Sequence, residues 1–259
     1  MAARRGLELL DSLVSEGRTG FTAADVRETL KLSPQATSNV LRRLADDGLI
    51  DRVAAGRYTA RQIGAMGTSA VWDDIGSAIA ALFAGVSHRI GFLTALDHHG
   101  LLVRPVRTIY VASPARSRLR SVSGRPLRVV REDRDSVLVG TEPFGPSRVA
   151  TVERALLDVA SRPQLSGGVS RLAEALAATG SVNDLAGLAG AIDAMAAYRR
   201  VGSIATTLAL PVAEGLDAPE WGSAIELDRS ARGERGWVDT TWGVAWPYPA
   251  SELEAVVAA

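Results

Sequence analysis

The stretch SPQATSNVLRRLADDGLIDRVAAGRYTA, residues 33–60, decides how the front of this chain folds. Ser33 followed by Pro34 is an N-cap and then a proline at the first helical position, where the missing N–H is one no helix needs. At 100° per residue, Ala36, Thr37, Val40, Leu41, Leu44 and Ala45 fall on one half of a helix that runs to Asp47. Gln35, Ser38, Asn39, Arg42 and Arg43 fall on the other half. Gly48 closes the helix. Leu49–Val53 and Arg57–Ala60 then flank Ala54-Ala55-Gly56, a short hairpin whose glycine supplies a positive φ cheaply.

Upstream, Leu7, Leu10 and Val14 recur at i, i+3, i+7 and stop at Gly17, predicting a first helix. Thr22, with Asp25 at the third position, is a capping-box start for a short second helix carrying Val26 and Leu30. Three helices and a hairpin in this order predict a winged helix-turn-helix over residues 1–62. Its third helix would turn amide, hydroxyl and guanidinium groups outward, a set suited to base edges and phosphates. Gln35, Ser38 and Asn39 are expected to read bases, with Arg42 and Arg43 on bases or phosphate and Arg57 making a wing contact. Any amphipathic helix can simply solvate its polar face. Here cap, helix, the exit LRRLADDGLIDR and hairpin occur together, which favours double-stranded DNA over a protein-contact module.

The chain has 259 residues, enough to bury a substantial core as one or two domains. With no cysteine it can hold no disulfide, thiolate zinc site, iron–sulfur cluster or cysteine nucleophile. Glu8 and Asp11 precede any purely apolar run, so no secretory signal is expected. The most apolar stretch, 75–96, contains His88 and Arg89, so no membrane span is expected either, and the cytoplasm is the expected compartment. The 29 basic and 29 acidic residues balance, so nucleic acid would have to be met through local patches. One such patch is the acid-free run Arg104, Arg107, Arg116, Arg118, Arg120, Arg125, Arg128 and Arg131. It would either extend a DNA footprint, face an acidic or RNA-bound partner, or be a solvated basic surface.

Residues 63–69 read as a linker, with glycines at 64 and 67, and 70–259 as an α+β unit. Helices are expected over about 70–85, 90–98, 152–161, 170–178, 183–196 and 199–208. Strands are expected around 106–111, 127–131 and 137–139. In the tail, Val238, Thr240, Trp242, Val244 and Trp246 alternate as one half-buried strand over 237–246. The fold class is therefore α+β, a winged helix-turn-helix followed by a larger mixed domain.

Chemistry is sparse in this second unit. His98 and His99 beside Asp97 suggest a metal, but neighbours on a helix diverge by about 100° and no third spaced ligand is evident, so no metal is expected. Arg154 and Asp158 form an i, i+4 pair, with Glu153 alongside, and read as structural. Asp184-Leu-Ala-Gly-Leu-Ala-Gly190 lacks the lysine and preceding strand of a phosphate loop. Lys31 is the single lysine, which removes a nuclease centre of two acids and a lysine from the second unit. Trp221, Trp237, Trp242 and Trp246 read as core and strand-face residues rather than a base-stacking platform. No catalytic set and no cofactor is expected.

Several segments resemble the AbiEi family of type IV antitoxins. RIGFLTALDHHGLL (89–102) is similar to that family's helix and histidine-glycine-leucine turn, and PVRTIYVA (105–112) to the strand after it. VERALLDVASRPQLSGG (152–168) is the most specific piece. YRRVGSIATTLAL (198–210) and AIELDRSARGERGWVDTTWGVAW (224–246) resemble its closing segments. The resemblance implies an autorepressor that binds inverted repeats in its own operon and counters a nucleotidyltransferase-like toxin. The runner-up reading is a one-component regulator whose α+β domain binds a small effector, in which case the aromatic tail should line a pocket.

Overall fold

A computed structural model describes residues 2–15, 20–61, 75–115, 121–122, 125–228 and 236–258. The expected linker 63–69 lies outside them. The front unit runs α1 (Ala2–Ser15), β1 (Gly20–Thr22), α2 (Ala23–Leu30), α3 (Pro34–Asp46), β2 (Ile50–Ala54) and β3 (Arg57–Ala60). Its helix starts follow the sequence closely. The Thr22 hydroxyl accepts from the Asp25 N–H at 3.1 Å, and the Asp25 carboxylate accepts from the Thr22 N–H at 2.7 Å. Ser33 caps α3 by accepting from the Ala36 N–H at 3.3 Å, with Pro34 in the first turn. The strands order as β1-β3-β2, all antiparallel, so the hairpin gains a third strand that no sequence signal marked.

Of the row expected to be buried in the first helix, Leu10 is buried and Leu7 is not, while the Val14 side chain lies outside the described ones. Leu7 is 51% exposed, whereas Leu9, Leu10 and Leu13 are buried with Phe21, Val26, Val40, Leu41, Leu44 and Ile50. Two helical rows, 7-10-14 and 6-9-10-13, overlap in this segment. Gly6 selects the second, because a Cβ there would stand 3.1 Å from a Leu44 methyl, so the bare glycine admits α3.

The second unit continues with α4 (Ile75–Leu82), β4 (Arg89–Ile90), α5 (Phe92–His98), β5 (Ile109–Ser113), β6 (Ser121–Val122), β7 (Arg125–Arg131), β8 (Thr141–Phe144) and β9 (Ser147–Ala150). These six strands form one mixed sheet ordered β6-β7-β5-β4-β9-β8, with β5/β7 and β4/β9 parallel. Helices α6 (Val152–Ser161), α7 (Val169–Ala178), α8 (Leu185–Ala191) and α9 (Met195–Thr207) follow. A small sheet of β10 (Ile225–Glu226), β11 (Trp237–Asp239) and β12 (Val244–Trp246), and then α10 (Ser251–Val257), complete the described chain. The fold is an N-terminal winged helix-turn-helix followed by a larger mixed α+β unit.

Three expectations fail here for local reasons. Residues 137–139 form turns, and the strand nearby is β8, paired with β9 in a hairpin closed by Gly145 and Pro146. Pro143 lies within β8, which the sheet tolerates because β8 is an edge strand. The expected helix 183–196 breaks at 192–194, where Asp193 takes φ +53°. The tail is not one strand but the hairpin β11–β12, with Trp237 opposite Trp246. Between them the chain reverses, and Gly243 sits at φ +61°.

The wing touches the second unit directly. Val53 of β2 joins the main core, and a Cβ on Gly20 would collide with the Ala81 Cα in α4. The wing strands therefore meet α4 backbone to backbone. Gly20→Ala is expected to cost about 1–3 kcal/mol by forcing α4 away, as overpacking does. A urea titration that returned wild-type stability would refute that contact.

Candidate nucleic-acid interface

Helix α3 carries its polar and apolar residues as its periodicity requires. Thr37, Val40, Leu41 and Leu44 are buried, while Gln35, Ser38, Arg42 and Arg43 are exposed. Asn39 is half-buried, and its Oδ1 accepts from Arg42 Nη2 at 3.4 Å. Thr37 donates back to the Ser33 carbonyl at 3.0 Å, which fixes the first turn and so the bearing of Gln35 and Ser38. The helix thus presents one amide, one hydroxyl and two guanidinium groups outward, with a second amide linked to one of the arginines. That combination can pair with base edges in a major groove and with phosphates alongside. Lys31, exposed in the turn before α3 with φ +49°, adds a cation that the helical pattern did not single out.

Arg57 is placed differently from its fellow candidates. It follows the hairpin tip at Gly56, where φ is +68°, but its Nη1 donates to the Ala81 carbonyl of α4 at 3.4 Å. Its guanidinium is half-buried and tied to the second unit. The expected wing contact to DNA competes with that hydrogen bond.

The described members of the arginine run differ in setting. Arg116, Arg118 and Arg120 lie outside the described residues. Arg125 donates to the Val106 carbonyl at 2.6 Å and the Arg107 carbonyl at 3.3 Å, holding a loop rather than facing outward. Arg104, Arg107, Arg128 and Arg131 are exposed, but alternation along β7 puts Arg128 and Arg131 on opposite faces.

A buried ionic network lies beyond what the sequence pattern discloses. Arg89 on β4 is fully buried and donates to both Asp158 oxygens, at 2.6 and 2.9 Å, and to Glu132 at 2.5 Å. Arg154 donates to Asp158 at 3.0 Å and also pairs with Glu132. Burial weakens the Arg89 charge, but the two carboxylates outweigh it and hold its pKa above the ordinary value. The Phe92 N–H also reaches Asp158, at 3.4 Å, from a residue at φ +54°, a conformation that costs a bulky side chain energy. Phe92, Glu132, Arg154 and Asp158 line an open cavity of about 540 Å³ with Arg131 and Arg162 beside them. Only the Arg154–Asp158 pair was legible in the sequence, by its spacing of four. Glu153 turns elsewhere and accepts from the Asn183 N–H at 3.0 Å.

The tryptophans divide as core and cover. Trp242 and Trp246 are buried, Trp237 stacks on Trp246 at 5.2 Å, and Trp221 lies beneath the Arg199 guanidinium. Asp97 leaves the two histidines to accept from the Val106 N–H at 3.2 Å, and Glu142 of β8 stands near them instead. Burial is the largest influence on His98 and lowers its pKa, with His99 adding to that effect and Glu142 opposing it.

Residues 8–57 match the model of the MarR family. The whole chain is similar in structure to the RV2827C protein from Mycobacterium tuberculosis, with a TM-score of 0.59 and 16% identity, over 99% of this chain and 95% of that one. At that identity the likeness speaks for the fold alone. No curated protein sequence matches the chain significantly. Among the described residues no helix is long and apolar enough to cross a membrane. The first unit is thus a MarR-like winged helix of the DNA-binding, transcription-regulating kind, set before a larger α+β unit.

Proposed function

We propose that the chain is a one-component transcriptional repressor. Its winged helix binds an inverted-repeat operator on double-stranded DNA in the cytoplasm, and its α+β unit receives the signal. The observation that carries the DNA half is the outward face of α3, with Gln35, Ser38, Arg42 and Arg43 exposed above a buried apolar row. The observation behind the signal half is the 540 Å³ cavity, whose size suits a small molecule. Its wall includes Glu132, a partner of Arg89, and Arg89 follows α4, the helix seated on the wing. A ligand that shifts this network has a short route to the DNA-binding unit.

A second reading, an AbiEi-like antitoxin that counters a nucleotidyltransferase-like toxin, is favoured by one observation. The segments 89–102 and 152–168, which carry that resemblance, meet in space through Arg89, Arg154 and Asp158. One pair of assays separates the readings. Operator affinity of the full chain is measured against a panel of small metabolites, and the chain is co-expressed with its neighbouring gene. The effector reading predicts an affinity change with a ligand whose effect is lost in Arg162→Glu. Rescue of growth from the neighbour's toxicity, with no metabolite effect, would replace it by the antitoxin reading.

A further inference from the structure

Helix α5 ends on its histidines in a defined way. Gly100 at φ +71° donates to the Asp97 carbonyl at 3.1 Å, and Leu101 donates to the Leu96 carbonyl at 2.9 Å. This is a Schellman closure, which turns the chain out of the helix just after His99. The 100° divergence expected of two helical neighbours therefore does not decide where the rings go. Their centroids lie 5.1 Å apart, and one ring nitrogen from each lies within 4.8 Å of the other and of a Glu142 carboxylate oxygen.

His99 Nε2 is 2.8 Å from the Ala150 carbonyl oxygen. A carbonyl only accepts, so Nε2 carries the hydrogen, which makes Nδ1 the nitrogen through which this ring would bind a metal. An imidazole that donates one N–H to a backbone carbonyl while its other nitrogen stays open is the arrangement seen around metal-ligating histidines. His98 packs edge-on against Phe144 at 4.7 Å, and Phe144 and Glu142, two apart on β8, share one face of that strand. Among the described residues, neither the His98 ring nitrogens nor the Glu142 carboxylate has a hydrogen-bond partner.

We propose that His98, His99 and Glu142 form a divalent transition-metal site that clips the end of α5 to the edge strand β8. Two imidazoles and a carboxylate suit zinc, cobalt or nickel, with water in the fourth position. Ligand atoms around tetrahedral zinc sit about 3.4 Å apart, given bonds of about 2.0–2.2 Å. From separations within 4.8 Å the closure needed is at most about 1.4 Å, within reach of rotamer changes at exposed His98 and half-buried Glu142. The role is structural, since the site fastens an edge strand and lies apart from the cavity.

Composition makes the test sharp. The chain has three histidines and no cysteine, so two of its three imidazoles are in this cluster. The untagged full-length protein, stripped with chelator, is titrated with zinc by calorimetry and with cobalt by visible absorption. One equivalent of zinc is expected to bind, with affinity falling at least tenfold in His98→Ala and in Glu142→Gln and unchanged in His88→Gln. Cobalt should show the intense visible bands of a four- or five-coordinate ion. His99→Ala also removes the Ala150 hydrogen bond, so the other two variants decide. Absence of stoichiometric binding, or binding indifferent to both His98→Ala and Glu142→Gln, overturns the proposal.

Discussion

Asp158→Asn is expected to destabilise the folded chain by about 3–5 kcal/mol, the cost of breaking a buried ion pair by removing one partner. Asp158 accepts two hydrogen bonds from Arg89, one from Arg154 and one from the Phe92 N–H. Without its charge, the two buried guanidinium groups keep the Val137, Ser136 and Val139 carbonyls, but among the described residues their charge is met by Glu132 alone. Arg89 has no route to solvent, since it is fully buried between β4 and α6. The double variant Arg89→Met with Asp158→Asn should lose less than the sum of the two single changes, because the orphaned charge leaves with its partner. Urea denaturation of the four proteins measures this directly. Additive losses would show that the two side chains do not act as a pair.

The second large effect belongs to α3. Gln35→Ala or Asn39→Ala is expected to cost about 1–3 kcal/mol on the preferred operator and to relax base preference at one position, as removal of a base-reading side chain does. Arg42→Ala or Arg43→Ala should instead weaken binding to all duplexes and lower the salt slope by about 1 for each phosphate no longer neutralised. Asn39 and Arg42 are linked by a hydrogen bond, so their effects should not add. A selection of bound sequences from a random pool, repeated with each variant, reads out the preference. Equal loss on every sequence for Gln35→Ala and Asn39→Ala would move both residues from base reading to backbone positioning.

Much of the front unit was legible because its signals are local. The Thr22 and Ser33 caps, Pro34 and Gly48 act within one turn of themselves, and the α3 stripe repeats at the helical period. The row that α1 buries turned on a glycine whose value shows only once Leu44 lies against it. The second unit was legible in its longer helices, α6 most clearly, where ten residues carry an N-cap at Thr151 and an unbroken apolar face. Its failures were non-local. Strand β8 holds a proline and is recognisable only through its partner β9. The tail alternates across two strands and a turn, so period two persisted where the chain had reversed. Glu132 and Arg89 are 43 residues apart and neither sits in a pattern, so their pairing could not be read from spacing. The third metal-site residue, Glu142, was hidden for the same reason, on the hairpin that the sequence did not disclose.

Binding of specific DNA through α3 is most directly tested by a mobility shift of the full chain on the DNA upstream of its own gene, beside a scrambled duplex of equal length, over a salt series. A complex is expected on the upstream DNA that survives competition by the scrambled duplex and weakens linearly in log K against log salt. No complex at low salt, or equal affinity for both duplexes, would contradict sequence-specific binding by this helix.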